Sequence, residues 1–178
     1  MAAAALWRGY GHRMLELQPL RAEHGAAVLR FEQDNRTYFG SFVSDRGDEY
    51  FDHFQRYLDD ALTEQAAVLS AFYVLLDEGA SVIGRFNLFD LHDGTGRLGY
   101  RVAEAASGRG VATATVKEMC ALAADVFGLR VLEAAVSGAN VASRKVLLRN
   151  RFVPTRPAAP SDLGGRSGSW FERDLTSH

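Results

Sequence analysis

Along this chain the spacing of apolar residues switches between two and three-to-four, and the switches mark out its elements. Met14-Leu15-Glu16-Leu17 alternates and stops at Pro19, which predicts a first strand. Residues 22–31 carry Ala27, Val28 and Phe31 on one helical face. Phe51, Phe54, Tyr57, Leu58 and Leu62 repeat at helical spacing, with Asp48 placed as a cap. Three strand-like runs follow at 71–76, 81–89 and 96–102, joined by the turns Asp77-Glu78-Gly79-Ala80 and 90–96. Such short connections predict an antiparallel meander.

The pattern then becomes helical for its longest stretch, 111–127. Val111, Thr115, Met119, Leu122 and Val126 form one stripe, and Gly128 is placed to end the helix. A strand at 131–136 completes a strand-helix-strand unit over 98–136, which implies a right-handed crossover between parallel strands. Ser137-Gly138-Ala139-Asn140 turns, and Asn140 can cap a short helix reaching about residue 149. A strand at 151–155, a Pro- and Gly-rich loop at 156–168 and a strand at 169–175 close the chain. No repeat or linker divides it, so residues 14–178 read as one domain behind a loose lead at 1–13. Trp7 in that lead could dock onto the body or a partner subunit.

One stretch stands out chemically. Ser107-Gly108-Arg109-Gly110-Val111-Ala112 sits where a strand turns into the long helix. A helix start leaves backbone N–H groups without partners and adds the positive end of the helix dipole. The glycines allow positive φ and close approach of a ligand. Together these make an anion site for phosphate or pyrophosphate, with Arg109 able to add a charged contact. An ordinary tight turn would look the same from these six residues. Gly94-Thr95-Gly96-Arg97-Leu98-Gly99 also matches Gly-x-Gly-x-x-Gly, but it precedes a strand rather than a helix and reads as a hairpin turn. Tyr38, Phe39, Phe42, Tyr50 and Phe54 are candidates either for a substrate cleft or for plain core.

Composition narrows the rest. The 178 residues suffice for one full core, and the net charge of −2 gives no electrostatic case for nucleic acid or anionic membrane. The single cysteine, Cys120, excludes an internal disulfide and a Cys-based zinc cluster, and its place in the long helix reads as a buried thiol rather than a nucleophile. No metal is expected. No apolar run approaches a membrane span, and the start lacks the pattern of a signal peptide, so a cytoplasmic protein is expected.

With those motifs in place, the chain resembles the GNAT superfamily of N-acetyltransferases. The loop from Ser107 to Ala112 is similar to that family's pyrophosphate-binding Q/R-x-x-G-x-G/A signature. Asn140-x-x-Ser143, Val146-Leu147-Leu148 and Asn150-Arg151-Phe152 resemble the Asn-x-x-Ser…Gly-Phe segment of the RimJ/RimL branch, which acetylates ribosomal-protein N-termini. Leu15-Glu16-Leu17-Gln18-Pro19-Leu20 and Ser81-Val82-Ile83-Gly84 look like that branch too. The chain departs from the pattern at Ser107, usually Gln or Arg, at Arg151, usually Gly, and at Leu147, where many members carry Tyr.

The resemblance implies an α/β (α+β) fold with a mixed, mostly antiparallel twisted sheet of about seven strands and helices on both faces. It implies acetyl-CoA as co-substrate and a primary amine as acceptor, either a protein N-terminus or a small molecule. Gly108, Arg109, Gly110, Val111, Ala112 and Thr113 would hold the pyrophosphate, and the backbone near Val102 would bond the pantetheine arm as an added strand does. Ser143 would approach the thioester sulfur, and Asn140 would bond a pantetheine amide or fix a water. Both could instead simply start a helix. The strand 98–102 holds no carboxylate to act as base, while Glu104, Asp90, His92 and Glu133 read as surface or structural charges. Near pH 7 roughly a tenth of an α-amine is neutral, against less than about one part in a thousand of a lysine amine, so a site without a base suits the former. Another acyl-CoA such as succinyl-CoA, a non-catalytic CoA-binding protein and a homodimer remain open alternatives.

Overall fold

A computed structural model describes the backbone of residues 5–8 and all of residues 14–176. The place expected for Trp7's side chain lies outside the described residues. Among the described residues eight strands form a single mixed sheet: β1 (Ala5–Arg8), β2 (Met14–Pro19), β3 (Ala71–Leu76), β4 (Val82–His92), β5 (Thr95–Val102), β6 (Val131–Ser137), β7 (Val153–Ala158) and β8 (Gly168–Asp174). Their spatial order is β1-β2-β3-β4-β5-β6-β8-β7, and every neighbouring pair is antiparallel except β5 with β6. Seven of the strands follow the predicted pattern. β1 is an addition, lying in the segment read as a loose lead. It pairs with β2 from Ala5↔Leu17 to Arg8↔Met14, through backbone bonds that an unpatterned sequence does not announce.

Helices cover both faces. α1 (Gly25–Asp34), α2 (Arg36–Gly40), α3 (Asp48–Asp52) and α4 (Phe54–Ala66) lie between β2 and β3. α5 (Val111–Asp125) connects β5 to β6, and α6 (Val141–Arg149) connects β6 to β7. One core packs α5 and α6 on Leu17, Leu75, Phe86, Leu88, Leu98, Leu132 and Phe171. The other packs α1 to α4 on Leu20, Phe72, Val74, Leu76 and Val82. β3 contributes to both, and all six of its residues are buried, as expected of a strand with two covered faces.

Three local readings are corrected, and one stretch without a predicted element forms a helix. Gly47, at φ 79°, occupies the N-cap of α3, while Asp48 is the first helical residue and pairs with Arg36 at 2.7 Å. The 36–40 stretch, which has no clear period, forms the one-turn α2. α5 ends at Asp125, so Val126 leaves the buried stripe and is half exposed, whereas Val111, Thr115, Met119 and Leu122 are buried as expected. The 156–168 loop is partly ordered: β7 runs to Ala158, and Pro160–Leu163 forms a 3-10 turn.

Arg151 stands where the resembled pattern has glycine, and its backbone takes the left-handed conformation at φ 63°. A Cβ in that region costs roughly 1–2 kcal/mol. Arg151→Gly therefore raises stability by about 0.5–1 kcal/mol after the entropy penalty of glycine is subtracted. Urea denaturation checks this, and an unchanged midpoint would contradict it.

Candidate functional site

The site begins where the sheet stops pairing. β5 and β6 are joined only at Thr95↔Val131, Gly96↔Leu132 and Arg97↔Glu133. Beyond that point β5 stays with β4 as far as Gly84↔Val102, and β6 stays with β8 as far as Ser137↔Gly168. The Ala103 N–H bonds to Ile83 O at 2.9 Å, on the β4 side. Strand alternation then turns the backbone groups of Tyr100 and Val102 toward the gap, where no strand receives them.

At one mouth of the gap lies the glycine loop. Gly108 and Gly110 have φ 73° and 77°, and Gly110 forms the N-cap of α5. The first helical bond is Ala114 N–H to Gly110 O at 3.0 Å. The N–H groups from Gly108 to Thr113 donate to no backbone acceptor among the described residues. This is the donor array that an anion requires. A cavity of about 210 Å³ opens on it, lined by Gly108, Gly110, Val111, Ala112, Thr113 and Val102. Arg109 is exposed and does not line this cavity. The cations that do are Lys145 and Arg149, one turn apart on α6. Their spacing was visible in the sequence, but only the docking of α6 beside α5 gives it meaning. Asn150 fixes that docking by donating from Nδ2 to Thr113 O at 3.1 Å.

In the middle of the gap, Ser143 and Asn140 come together. Asn140 caps α6, its Oδ1 accepting from Ser143 N–H at 3.0 Å. That oxygen is thereby committed. Ser143 Oγ is 2.8 Å from the Tyr100 hydroxyl, a bond that spans the gap from β5 to α6. Tyr100 stacks on Phe86 with 5.6 Å between ring centroids. Burial pushes its hydroxyl up to about 12, against the opposing bond from Ser143, so it remains protonated. The sequence reading passed over Tyr100, because an aromatic in an alternating strand looks like core. α2 crosses over this region: Tyr38 OH lies 2.7 Å from Ser107 Oγ, and Ser137 Oγ donates to Phe42 O at 3.0 Å. Tyr38, Phe39 and Phe42 line the cleft, whereas Tyr50 and Phe54 are core.

The far end of the gap widens into a cavity of about 340 Å³. Glu32, only 1% exposed, sits on its wall among three guanidiniums: Arg85 at 2.6 Å, Arg101 at 3.0 Å and Arg46 at 3.4 Å. Burial raises the Glu32 carboxyl, but the charges of Arg46, Arg85 and Arg101 outweigh it and hold the group below its ordinary value. Both oxygens are occupied and the group is ionised, so Glu32 is not a free base. Asp90 pairs with Arg97 and Glu133 with Arg156, while Glu104 and His92 are exposed, and none of the four lines the cavity. Cys120 is buried, and burial lifts its thiol up to about 11, as suits a structural residue. Among the described residues no His, Cys, Asp and Glu cluster suited to a metal occurs, and no helix is long and apolar enough to cross a membrane.

Residues 14–153 match the family model described as the GNAT acetyltransferase domain. The chain belongs to the GNAT acetyltransferases. Solved structures agree on the fold. The ribosomal-protein-S5-alanine acetyltransferase from Vibrio fischeri superposes with a TM-score of 0.88 over 99% of this chain and 98% of that one, at 15% identity. RimJ from Mycobacterium smegmatis, in complex with CoA-disulfide, gives 0.86 over 96% and 86%, at 18% identity. The spermidine N-acetyltransferase from Vibrio cholerae, in complex with CoA and spermine, gives 0.75 over 91% and 96%, at 14% identity. No curated protein sequence matches the chain.

The Glu32 cluster makes a pH prediction for this GNAT domain. A carboxyl depressed in the folded state contributes stability above its unfolded value, near 4.5, and loses it as pH falls toward its folded value. Removing one partner of a buried ion cluster costs about 3–5 kcal/mol, so Glu32→Gln is expected to lose that order of stability at pH 7. The gap to the parent should hold down to about pH 5 and close below pH 4.5. Denaturation at pH 7 and pH 3.5 measures both, and a gap that widens on acidification would contradict the assignment.

Proposed function

We propose that this chain transfers an acetyl group from acetyl-CoA to a primary amine by direct attack, the acceptor being a protein N-terminal α-amine or a small amine. The observation that carries the reading is the continuous gap that joins three features in line: the unpartnered N–H groups of Gly108 to Thr113, the Tyr100–Ser143 pair and the cavity beside Glu32. The loop amides, with Lys145 and Arg149, would hold the pyrophosphate. The backbone of Tyr100 and Val102 would bond the pantetheine arm as a strand edge does. Arg109, turned outward, is left a peripheral role.

Direct attack requires a neutral amine, a polarised carbonyl and a stabilised leaving thiolate. If Tyr100 donates to Ser143 Oγ, the Ser143 proton is free to bond the departing sulfur. A thiol pKa is about 8.5, so a hydrogen bond suffices where a stronger acid is lacking. Leu147, fully buried in the α6 core, supplies no such acid. Asn140 keeps Ser143 in place through its cap, and its Nδ2 is left for the pantetheine amide or a water. With Glu32 held by three guanidiniums and Asp162 engaged through Oδ2 by Ala159 N–H and Trp170 Nε1, the reading favours an α-amine over a lysine amine.

Thiol release from acetyl-CoA with a panel of peptides and small amines tests the reaction. Turnover on at least one amine is expected, while CoA binding without turnover on any would favour a sensor. Ser143→Ala and Tyr100→Phe should each lower kcat about 10–100-fold with CoA affinity within about twofold. Full-rate Ser143→Ala would remove Ser143 from the reaction. Gly110→Val, β-branched at φ 77°, should raise the Kd for CoA about tenfold or more, and unchanged affinity would count against the loop.

A further inference from the structure

The wall of the wide cavity holds more positive charge than the protein uses. Five ionisable side chains line it: Arg46, Arg85, Arg101, Glu32 and Asp162. Asp162 is engaged elsewhere, its Oδ2 accepting from Ala159 N–H at 2.9 Å and from Trp170 Nε1 at 3.1 Å. Glu32 alone faces the three guanidiniums, and each reaches it with one nitrogen. Arg85 adds only a long bond to the Tyr50 hydroxyl at 3.4 Å. The other nitrogens of Arg46 and Arg101 bond to no described side chain. Instead their planes lie over aromatic rings, Arg46 on Tyr50 at 4.6 Å and Arg101 on Phe39 at 5.2 Å, which fixes both forks in place. Burial, and the neighbouring charges of Arg46 and Arg85, press the Arg101 pKa down, while Glu32 only partly offsets them. Fixed guanidinium forks with spare donors beside a cavity are the geometry that binds a carboxylate bidentately.

A second, independent feature lies in the wall of the same cavity. Asn87 on β4 is 8% exposed, and its Oδ1 has no hydrogen-bond partner. A buried acceptor without a donor is costly unless a ligand supplies one. Opposite it on β5 is Gly99, whose missing side chain leaves room that the Phe89 ring takes up. An amine or ammonium group is all donor, the complement that Asn87 lacks.

Resting on the acetyltransfer reading, we propose that the acceptor is an amine that also carries a carboxylate: the amine donates to Asn87 Oδ1, and the carboxylate docks on Arg46 and Arg101. A free acidic amino acid and a peptide N-terminus with an acidic residue at its second position share this chemistry. A polyamine, carrying only positive charge, does not.

The test uses the full chain and paired acceptors: Ala-Asp and Ala-Glu peptides against their Ala-Asn and Ala-Gln twins, free aspartate and glutamate, and spermidine. With acetyl-CoA, kcat/KM for the acidic peptides should exceed that of the amide twins by about tenfold or more. Preference for the free amino acids over the peptides would assign the source to a small molecule, and the reverse to a polypeptide. Arg46→Gln should collapse the acid-to-amide ratio toward one, and Arg46→Lys should restore part of it. Arg46 is the most exposed of the three, so this variant leaves the Arg85 and Arg101 pairs to Glu32 intact. Asn87→Leu should raise KM for acidic and amide acceptors alike. Equal use of acidic and amide acceptors, or a preference for spermidine, overturns the proposal while leaving acetyl transfer standing. If no amine is turned over, the reading of the reaction fails. The proposal is then judged by calorimetry on the CoA-saturated protein, where equal Kd values for Ala-Asp and Ala-Asn peptides overturn it and tenfold tighter binding of the acid supports it.

Discussion

A parallel strand pair that lets go after three residues is the constraint on which this molecule depends. Had β5 and β6 paired along their full length, the backbone groups of Tyr100 and Val102 would be spent on the sheet, and α5 and α6 would close over a continuous core. Because they part, the sheet divides at this end into two halves, β1 to β5 and β6-β8-β7, each hydrogen-bonded within itself. The lining of the gap costs little, since the groups it exposes are strand-edge amides and a helix N-terminus, which a ligand can satisfy as well as water does.

Small polar contacts then set what the gap can accommodate. Tyr38 to Ser107 and Ser137 to Phe42 pin α2 and the chain after it across the opening, so an aromatic wall faces the middle of the channel. Tyr100 to Ser143 ties β5 to α6 across the gap. Glu32 gathers three arginines on the wider side and is ionised only because they surround it. Charge is thus graded along the channel, with loop amides and α6 cations at one end, neutral hydroxyls at the centre and guanidiniums at the other. None of this needs a strongly charged protein, and the net charge is only −2.

The parts legible in the sequence are those governed by local rules. Alternation placed seven strands, the stripe from Val111 to Leu122 placed α5, and Gly108 with Gly110 marked the turn that leads into it. Asn140 was legible as a cap because capping depends on three residues alone. What escaped depends on residues far apart meeting. Glu32 and its three arginines are scattered over 69 positions, from Glu32 to Arg101. Each alone reads as a surface charge or, within a strand, as an outward position. Arg85 and Asn87, alternating with Phe86 and Leu88, read as the solvent face of an antiparallel strand, and only the packing of α1 against β4 turns that face inward. Arg109 was expected at the phosphate by adjacency; it does not line the cavity over the glycine loop, beside which the docking of α6 brings Lys145 and Arg149. β1 was missed because edge pairing by backbone needs no pattern.

The loop amides can be watched one by one. Nitrogen–proton correlation spectra of the labelled protein, recorded during titration with CoA, report each N–H from Gly108 to Thr113 separately. If those amides grip a diphosphate, their resonances move the most and saturate together, downfield as charge-assisted hydrogen bonds form. Saturating CoA that leaves these six resonances where they were would contradict the role given to the helix N-terminus.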